Sequence, residues 1–212
     1  IADVFAGQPY RSQNKYTLDK GVVQQKAQIS LFEPGSAAAP EEDDIGFANA
    51  RIELTSEQLL SNIKNIQALS NINESQTLSH KFGAVDLDVE METGTGKTYV
   101  YIKSMFELNK RYGWSKFIVV VPSVAIREGV YKSLQTTQEH FAAEYGKKIR
   151  FFTYTSDDLP EVDRFASDSA INVMIINMQA FNSGKNQRII DKALDSFRSR
   201  RPIDIIAKTN PI

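Results

Sequence analysis

The chain has 212 residues, 42% of them hydrophobic and 24% charged, with a formal net charge of -1 and no cysteine. That length and balance suit one globular domain with a real core, or one domain plus an appendage, and the charge confines any nucleic-acid surface to a local patch. The missing cysteine excludes a disulfide framework, cysteine-ligated zinc and thiol catalysis, and fits a reducing cytosol, while no apolar run approaches the roughly 18 residues needed to span a bilayer.

The N-terminal Ile1-Ala2-Asp3-Val4-Phe5 lacks the basic stretch of a secretory signal. It has no initiator methionine, and "TNPI" at 209–212 reads as a strand just starting, so the chain reads as an excised piece of something larger. Residues 32–46, "FEPGSAAAPEEDDIG", read as a loop or flexible insertion on their prolines, small residues and acidic run. A helix is expected after Thr55, where Gln58 three residues on completes a capping box. Leu59, Leu60, Ile63, Ile66 and Leu69 then form one apolar stripe for core packing.

From Gly83 the pattern is regular. Residues 87–91 are a strand candidate, and 98–112 read as helix, with Val100, Ile102, Met105, Phe106 and Leu108 apolar and Gly113 as C-cap. "FIVVV" at 117–121, closed by Pro122, has the continuous apolar character of a strand buried on both faces. A helix from about Ala125, strands at 149–154 and 171–176, and a helix at 187–197 follow. Strands alternating with helices at this spacing imply an α/β fold with a parallel, doubly wound sheet. The chain divides into 1–82, an N-terminal helix, acidic loop and insertion helix, and 83–212, the regular α/β lobe.

Between the first predicted strand and helix stands "VEMETGTGKTYVY" (89–101). Glycines at 94 and 96 let backbone N–H groups turn inward, and a helix starts at once, so N–H groups and helix dipole favour a phosphate anion. Lys97 can reach the outer phosphates and the Thr98 hydroxyl can ligate magnesium, which makes this glycine loop a P-loop. Met91 stands where compact kinases and GTPases carry a further glycine, a departure that helicase-like loops tolerate.

Other features tempt less. Asp86, Asp88, Glu90 and Glu92 alternate, so one strand face would carry four carboxylates. A charged face is the simpler reading than a second metal site, although it sits awkwardly with a buried strand. Basic clusters at 185–188 and 198–201 could bind DNA, or could be solvated groups, the latter at the end of a helix. His80 and His140 lack partners at ligand spacing, and Trp114 reads as a packing residue.

The stretch from "EMETGTGKT" to "FIVVVPSVAIREGVYKSLQ", with "INVMIINMQAFN" beyond it, resembles the motor domain of the restriction (Res) subunit of type III restriction-modification enzymes. The resemblance implies a RecA-like lobe, the first of a superfamily 2 helicase-like ATPase, preceded by a less regular insertion. ATP and magnesium are the implied cofactors, with 92–98 as the ATP-phosphate loop, formed by Glu92, Thr93, Gly94, Thr95, Gly96, Lys97 and Thr98, and with Lys97 and Thr98 catalytic. Pro122, Ser123 and Arg127 would touch the DNA backbone, as would Asn177, Gln179 and Asn182. Buried-strand ends and backbone-facing hydroxyl and guanidinium groups suit that contact, while a capping serine and a surface arginine are the plain alternative. Double-stranded DNA and a methyltransferase (Mod) subunit are the implied partners, in a bacterial cytoplasm. The DExx carboxylates would follow the strand beginning near Pro211, so this piece alone is not expected to hydrolyse ATP, whereas the full-length protein would be an ATP-dependent type III deoxyribonuclease. Another superfamily 2 motor, such as a type I restriction motor or repair helicase, and a non-motor nucleotide-binding module are the alternatives.

Overall fold

A computed structural model describes residues 1–21, 45–81, 83, 85–182 and 189–212. Much of the expected 32–46 loop and all of the 185–188 basic cluster lie outside the described residues.

The lobe is built on β3 (Lys116–Val121), β4 (Ile149–Thr153) and β5 (Ile171–Asn177), all parallel, in the order β3-β5-β4. Helices α3 (Val124–Tyr145) and α4 (Pro160–Ser167) make the crossovers. Period-two alternation along β5 splits the interior in two. Ile171, Val173 and Ile175 face one core, with Ile102 and Phe106 of α2 (Lys97–Tyr112) and Leu134 and Phe141 of α3. Met174 and Ile176 face the other, with Val162 and Phe165 of α4 and Ile205 and Ile206 of α6 (Pro202–Lys208). A strand with helices on both faces must be apolar throughout, and β5 is buried from Ile171 to Ile176. The result is the parallel α/β sandwich that the pattern implies, in agreement with the RecA-like lobe that the resemblance implies.

The first part of the chain braces this lobe. β1 (Asn14–Thr17) and β2 (Ile45–Ala48) pair antiparallel. Ala2, Val4, Phe5 and Leu59 join the α2–α3 core. α1 (Ser56–Leu69) begins under the expected capping box, Gln58 N–H donating to Thr55 Oγ1 and Thr55 N–H to Gln58 Oε1. Its stripe is shorter than expected: Leu59 is buried, but Leu69 is 88% exposed. Gly113 ends α2 at φ +82° with its N–H on Asn109 O, and Trp114 is buried with Nε1 donating to Ala50 O.

Three expectations need correction. Residues 87–91 form no strand; Asp86 makes only an isolated bridge to Ser79, and Asp88, Val89, Glu90 and Glu92 are exposed. Four carboxylates in seven residues cannot enter a sheet layer buried on both faces, so the segment stays outside it. The edge of β3 is met instead by Ile212, whose O accepts from Ile118 N–H at 2.8 Å and whose N–H donates to Lys116 O at 3.0 Å. The described part of the expected 187–197 helix is two short 3-10 turns, Ile189–Asp191 and Asp195–Phe197. A Leu194–Arg200 bridge closes the second, with Arg198 and Ser199 at positive φ.

The third correction follows. The 198–201 cluster precedes a helix, α6, and does not end one. Arg200 is buried, forks onto both Asp163 oxygens at 2.8 and 2.7 Å, and stacks over Phe197. It is neither a DNA contact nor a solvated cap.

Candidate functional site

The 16-residue α2 descends from the glycine loop to Gly113, and β3 begins at Lys116. Its N-terminus therefore stands at the level of the strands' C-terminal ends, where open α/β sheets hold ligands. Gly94 has φ +83° and Gly96 φ +88°, left-handed values that suit glycine. No atom lies within 4 Å of a Cβ built on Gly94, and the first neighbour of one on Gly96 is Tyr99 Cβ at 3.9 Å. Backbone shape and open space hold these glycines, and packing does not.

The helix starts differ. α1 has its capping box, and α3 starts under Ser123, whose Oγ accepts from Ile126 N–H at 3.3 Å. α4 and α6 start without a side-chain cap, but each has acidic residues in its first turn, Glu161 and Asp163 in α4 and Asp204 in α6. α2 starts at Gly96 with neither cap nor carboxylate. Its first N–H groups are left for an acceptor from outside, and the positive helix end favours an anion there.

Within the loop, Glu92 O gathers the other groups. Lys97 Nζ donates to it at 2.7 Å, Thr95 Oγ1 at 2.6 Å and Thr95 N–H at 3.4 Å. The Lys97 ammonium thus lies across the loop on a solvent-exposed side chain, free to exchange that carbonyl for a phosphate oxygen. Thr98 is half-buried in the first turn. Exposed N–H groups, an ammonium and a hydroxyl form a donor set that fits a nucleotide triphosphate with magnesium. Among the described residues no three His, Asp or Glu side chains group to hold a metal. A cleft of about 700 Å³ lies elsewhere, between Phe5, Ala50, Trp114 and Pro211. The glycine loop itself lies on the surface.

The expected DNA-side residues gather at the same end. Val121 and Asn177 are ladder partners, and Met178 N–H donates to Val121 O at 2.8 Å, so Pro122 and Ser123 sit beside Asn177 and Gln179. Pro122 and Gln179 are exposed, and Gln179 opens the short α5 (Gln179–Asn182). The Arg127 guanidinium pairs with Glu128 at 3.0 Å. Asn177 Oδ1 is shut off from solvent with no hydrogen-bond partner. His140 instead takes a local role, its Nε2 2.9 Å from Tyr99 Oη.

Sequence reading missed Tyr101, which buries its hydroxyl beside the loop; its place three residues after Thr98 was the available signal. It also missed Lys116. Set in an apolar strand, that side chain is fully buried and its Nζ donates to the Phe165 and Asp168 carbonyls. Burial pushes its ammonium down to about 8, against the opposing pull of Asp168.

A family model described as type III restriction enzyme, res subunit, matches residues 59–201. The chain is 32% identical to the type III restriction-modification enzyme EcoP15I Res subunit of Escherichia coli, over 92% of this chain and 22% of that one. It is 31% identical to the EcoPI Res subunit of Escherichia phage P1, over 80% of this chain and 19% of that one. With the StyLTI Res subunit of Salmonella typhimurium the identity is 36% over 49% of this chain. The chain thus spans about a fifth of the length of the first two relatives.

Proposed function

Because this chain belongs to the type III restriction enzyme Res subunit family, we propose that it is the nucleotide-binding lobe of an ATP-driven motor acting on DNA before double-strand cleavage. The observation that carries this is α2's uncapped start behind two left-handed glycines, with Lys97 laid across the loop.

Backbone N–H groups from Gly94 to Thr98 would receive the phosphate oxygens. Lys97 would leave Glu92 O and neutralise charge on the outer phosphates, and the Thr98 hydroxyl would hold magnesium. Bound ATP with magnesium supplies the anhydride whose hydrolysis drives the cycle. Pro122, Ser123, Arg127, Asn177 and Gln179 would face the DNA backbone, Arg127 exchanging Glu128 for a phosphate. In the whole protein the partners would be double-stranded DNA and a methyltransferase subunit, as in type III systems. No described helix is long and apolar enough to cross a membrane.

Lys97→Ala in the full-length protein tests the reading. We expect DNA-stimulated ATP turnover to fall on the order of 10²-fold or more, since an electrostatic donor aimed at developing charge is lost. The melting temperature should not move, because Lys97 is exposed. A variant that keeps turning over ATP at the parent rate would sink the proposal.

A further inference from the structure

Tyr101 carries a hydroxyl oxygen that is closed to solvent and meets no hydrogen-bond partner. Buried polar groups without partners are few in native folds, and each calls for an explanation. The Tyr16 and Tyr154 hydroxyls are also unpartnered, but the charges that bear on them are Asp163 and Asp191, away from the glycine loop. Tyr101 differs in its neighbour. A long side chain on a helix leans toward the N-terminus and covers the preceding turn, which here begins at Lys97 and Thr98. The ring packs against the core that contains Ile102 and Phe106, so it has little freedom to turn away. Burial raises the phenol above its ordinary range, and the polar side chain acting on it in the other direction is Thr98. The two hydroxyls are thus neighbours across one turn of the helix.

We propose that Tyr101 is a positioning residue for the Thr98 hydroxyl, an inference that rests on the reading of Thr98 as the magnesium-holding group. A threonine hydroxyl has one proton and two lone pairs. In a helix its χ1 is divided between rotamers, because the oxygen can also bond a carbonyl of the preceding turn. The Tyr101 oxygen offers the proton a different acceptor, fixed from beneath. With the proton directed there, the lone pairs of Thr98 face the loop mouth. The same contact gives the buried phenol oxygen a donor for one of its lone pairs.

Binding of a fluorescent ATP analogue to the full-length protein, with and without magnesium, tests this. Tyr101→Phe removes one oxygen and keeps the ring. The expected result is unchanged affinity without magnesium and a magnesium-dependent gain reduced about fivefold, the worth of one neutral hydrogen bond. Thr98→Ala should abolish the gain, and adding Tyr101→Phe to it should change nothing further. If Tyr101→Phe keeps the full gain while Thr98→Ala loses it, the positioning role falls and the magnesium role of Thr98 stands. If Thr98→Ala keeps the gain, both fall together. An equal loss with and without magnesium would make Tyr101 a packing residue and overturn the inference.

Discussion

At the N-terminal ends of the strands, Asn49, Ser115, Lys116 and Thr209 are buried, while at the C-terminal ends Gly94, Gly96, Pro122 and Gln179 lie open to solvent. Both ends are rich in polar atoms, but they deal with them differently. At the buried end, Asn49 Oδ1 accepts from Ser115 N–H at 2.7 Å and Lys116 N–H at 3.0 Å, and its Nδ2 donates to Lys116 O at 2.8 Å. Asn49 N–H donates to Thr209 O at 2.9 Å, and Asn210 Nδ2 to Asn49 O at 3.1 Å. Such a network is stable only if it is complete. At the open end, the first N–H groups of α2 have no side-chain cap and are left to water or to the proposed ligand. Stability and the proposed recognition therefore fall on opposite ends of one sheet, and substitutions should separate them.

The sharpest break is at Asn49. Asn49→Ala would orphan the Ser115 and Lys116 N–H groups together and leave the Lys116 carbonyl with the Ile212 N–H alone, at about 1–3 kcal/mol for each orphaned group. We expect a loss of roughly 3–5 kcal/mol by urea unfolding, with nucleotide affinity intact wherever the variant is folded. A loss below about 1 kcal/mol would mean that water enters this end and that the contrast is false.

Lys116 gives the next effect, through pH. Its folded value of about 8 lies below the ordinary 10.5. Below pH 8 the folded and unfolded states both hold the proton, and folding bears the full cost of burying the charge. Between pH 8 and 10.5 the folded state has released the proton while the unfolded state keeps it, so stability rises with pH across that window. The rise is on the order of 3 kcal/mol. Denaturation of Lys116→Met and parent at several pH values should show curves that diverge there, the parent gaining. Parallel curves would show that the amine is not desolvated.

What the sequence made legible follows the same division. The glycine loop, the Thr55–Gln58 box, the Gly113 cap and the apolar strands all declare themselves within a few residues, because turn conformation, capping and burial on both faces are local demands. Asn49 and Lys116 are 67 residues apart, and no spacing rule joins them. Lys116 stands just before "FIVVV" in the sequence, yet it is a buried member of the strand whose charge finds carbonyls about fifty residues on. The 87–91 segment failed as a strand because alternation describes only a face, and the sheet had no wet face to give it. α6 could have been found, since Pro202 in its first turn and Asp204 beside it are start signals. At the open end the residue types were legible. Their bonds were not, as Lys97 on Glu92 O and Tyr101 beside Thr98 depend on how the loop folds back over its helix.

The smallest effect probes whether one residue can serve both demands. Ser123 already works as a helix cap, with Ile126 N–H on its hydroxyl, and it is also proposed to meet DNA. Ser123→Ala should cost about 1 kcal/mol of stability, the usual price of a lost cap. It should weaken DNA binding slightly, and that variant alone cannot separate the two roles. Ser123→Asp can. Aspartate caps as well as serine, and its charge suits the positive end of α3, so stability should match or exceed the parent. The same charge would face a phosphate backbone, so DNA affinity should fall well below that of Ser123→Ala. Stability recovered with DNA affinity at the alanine level would leave Ser123 a cap alone, and the DNA face would then have to lie elsewhere on the open end.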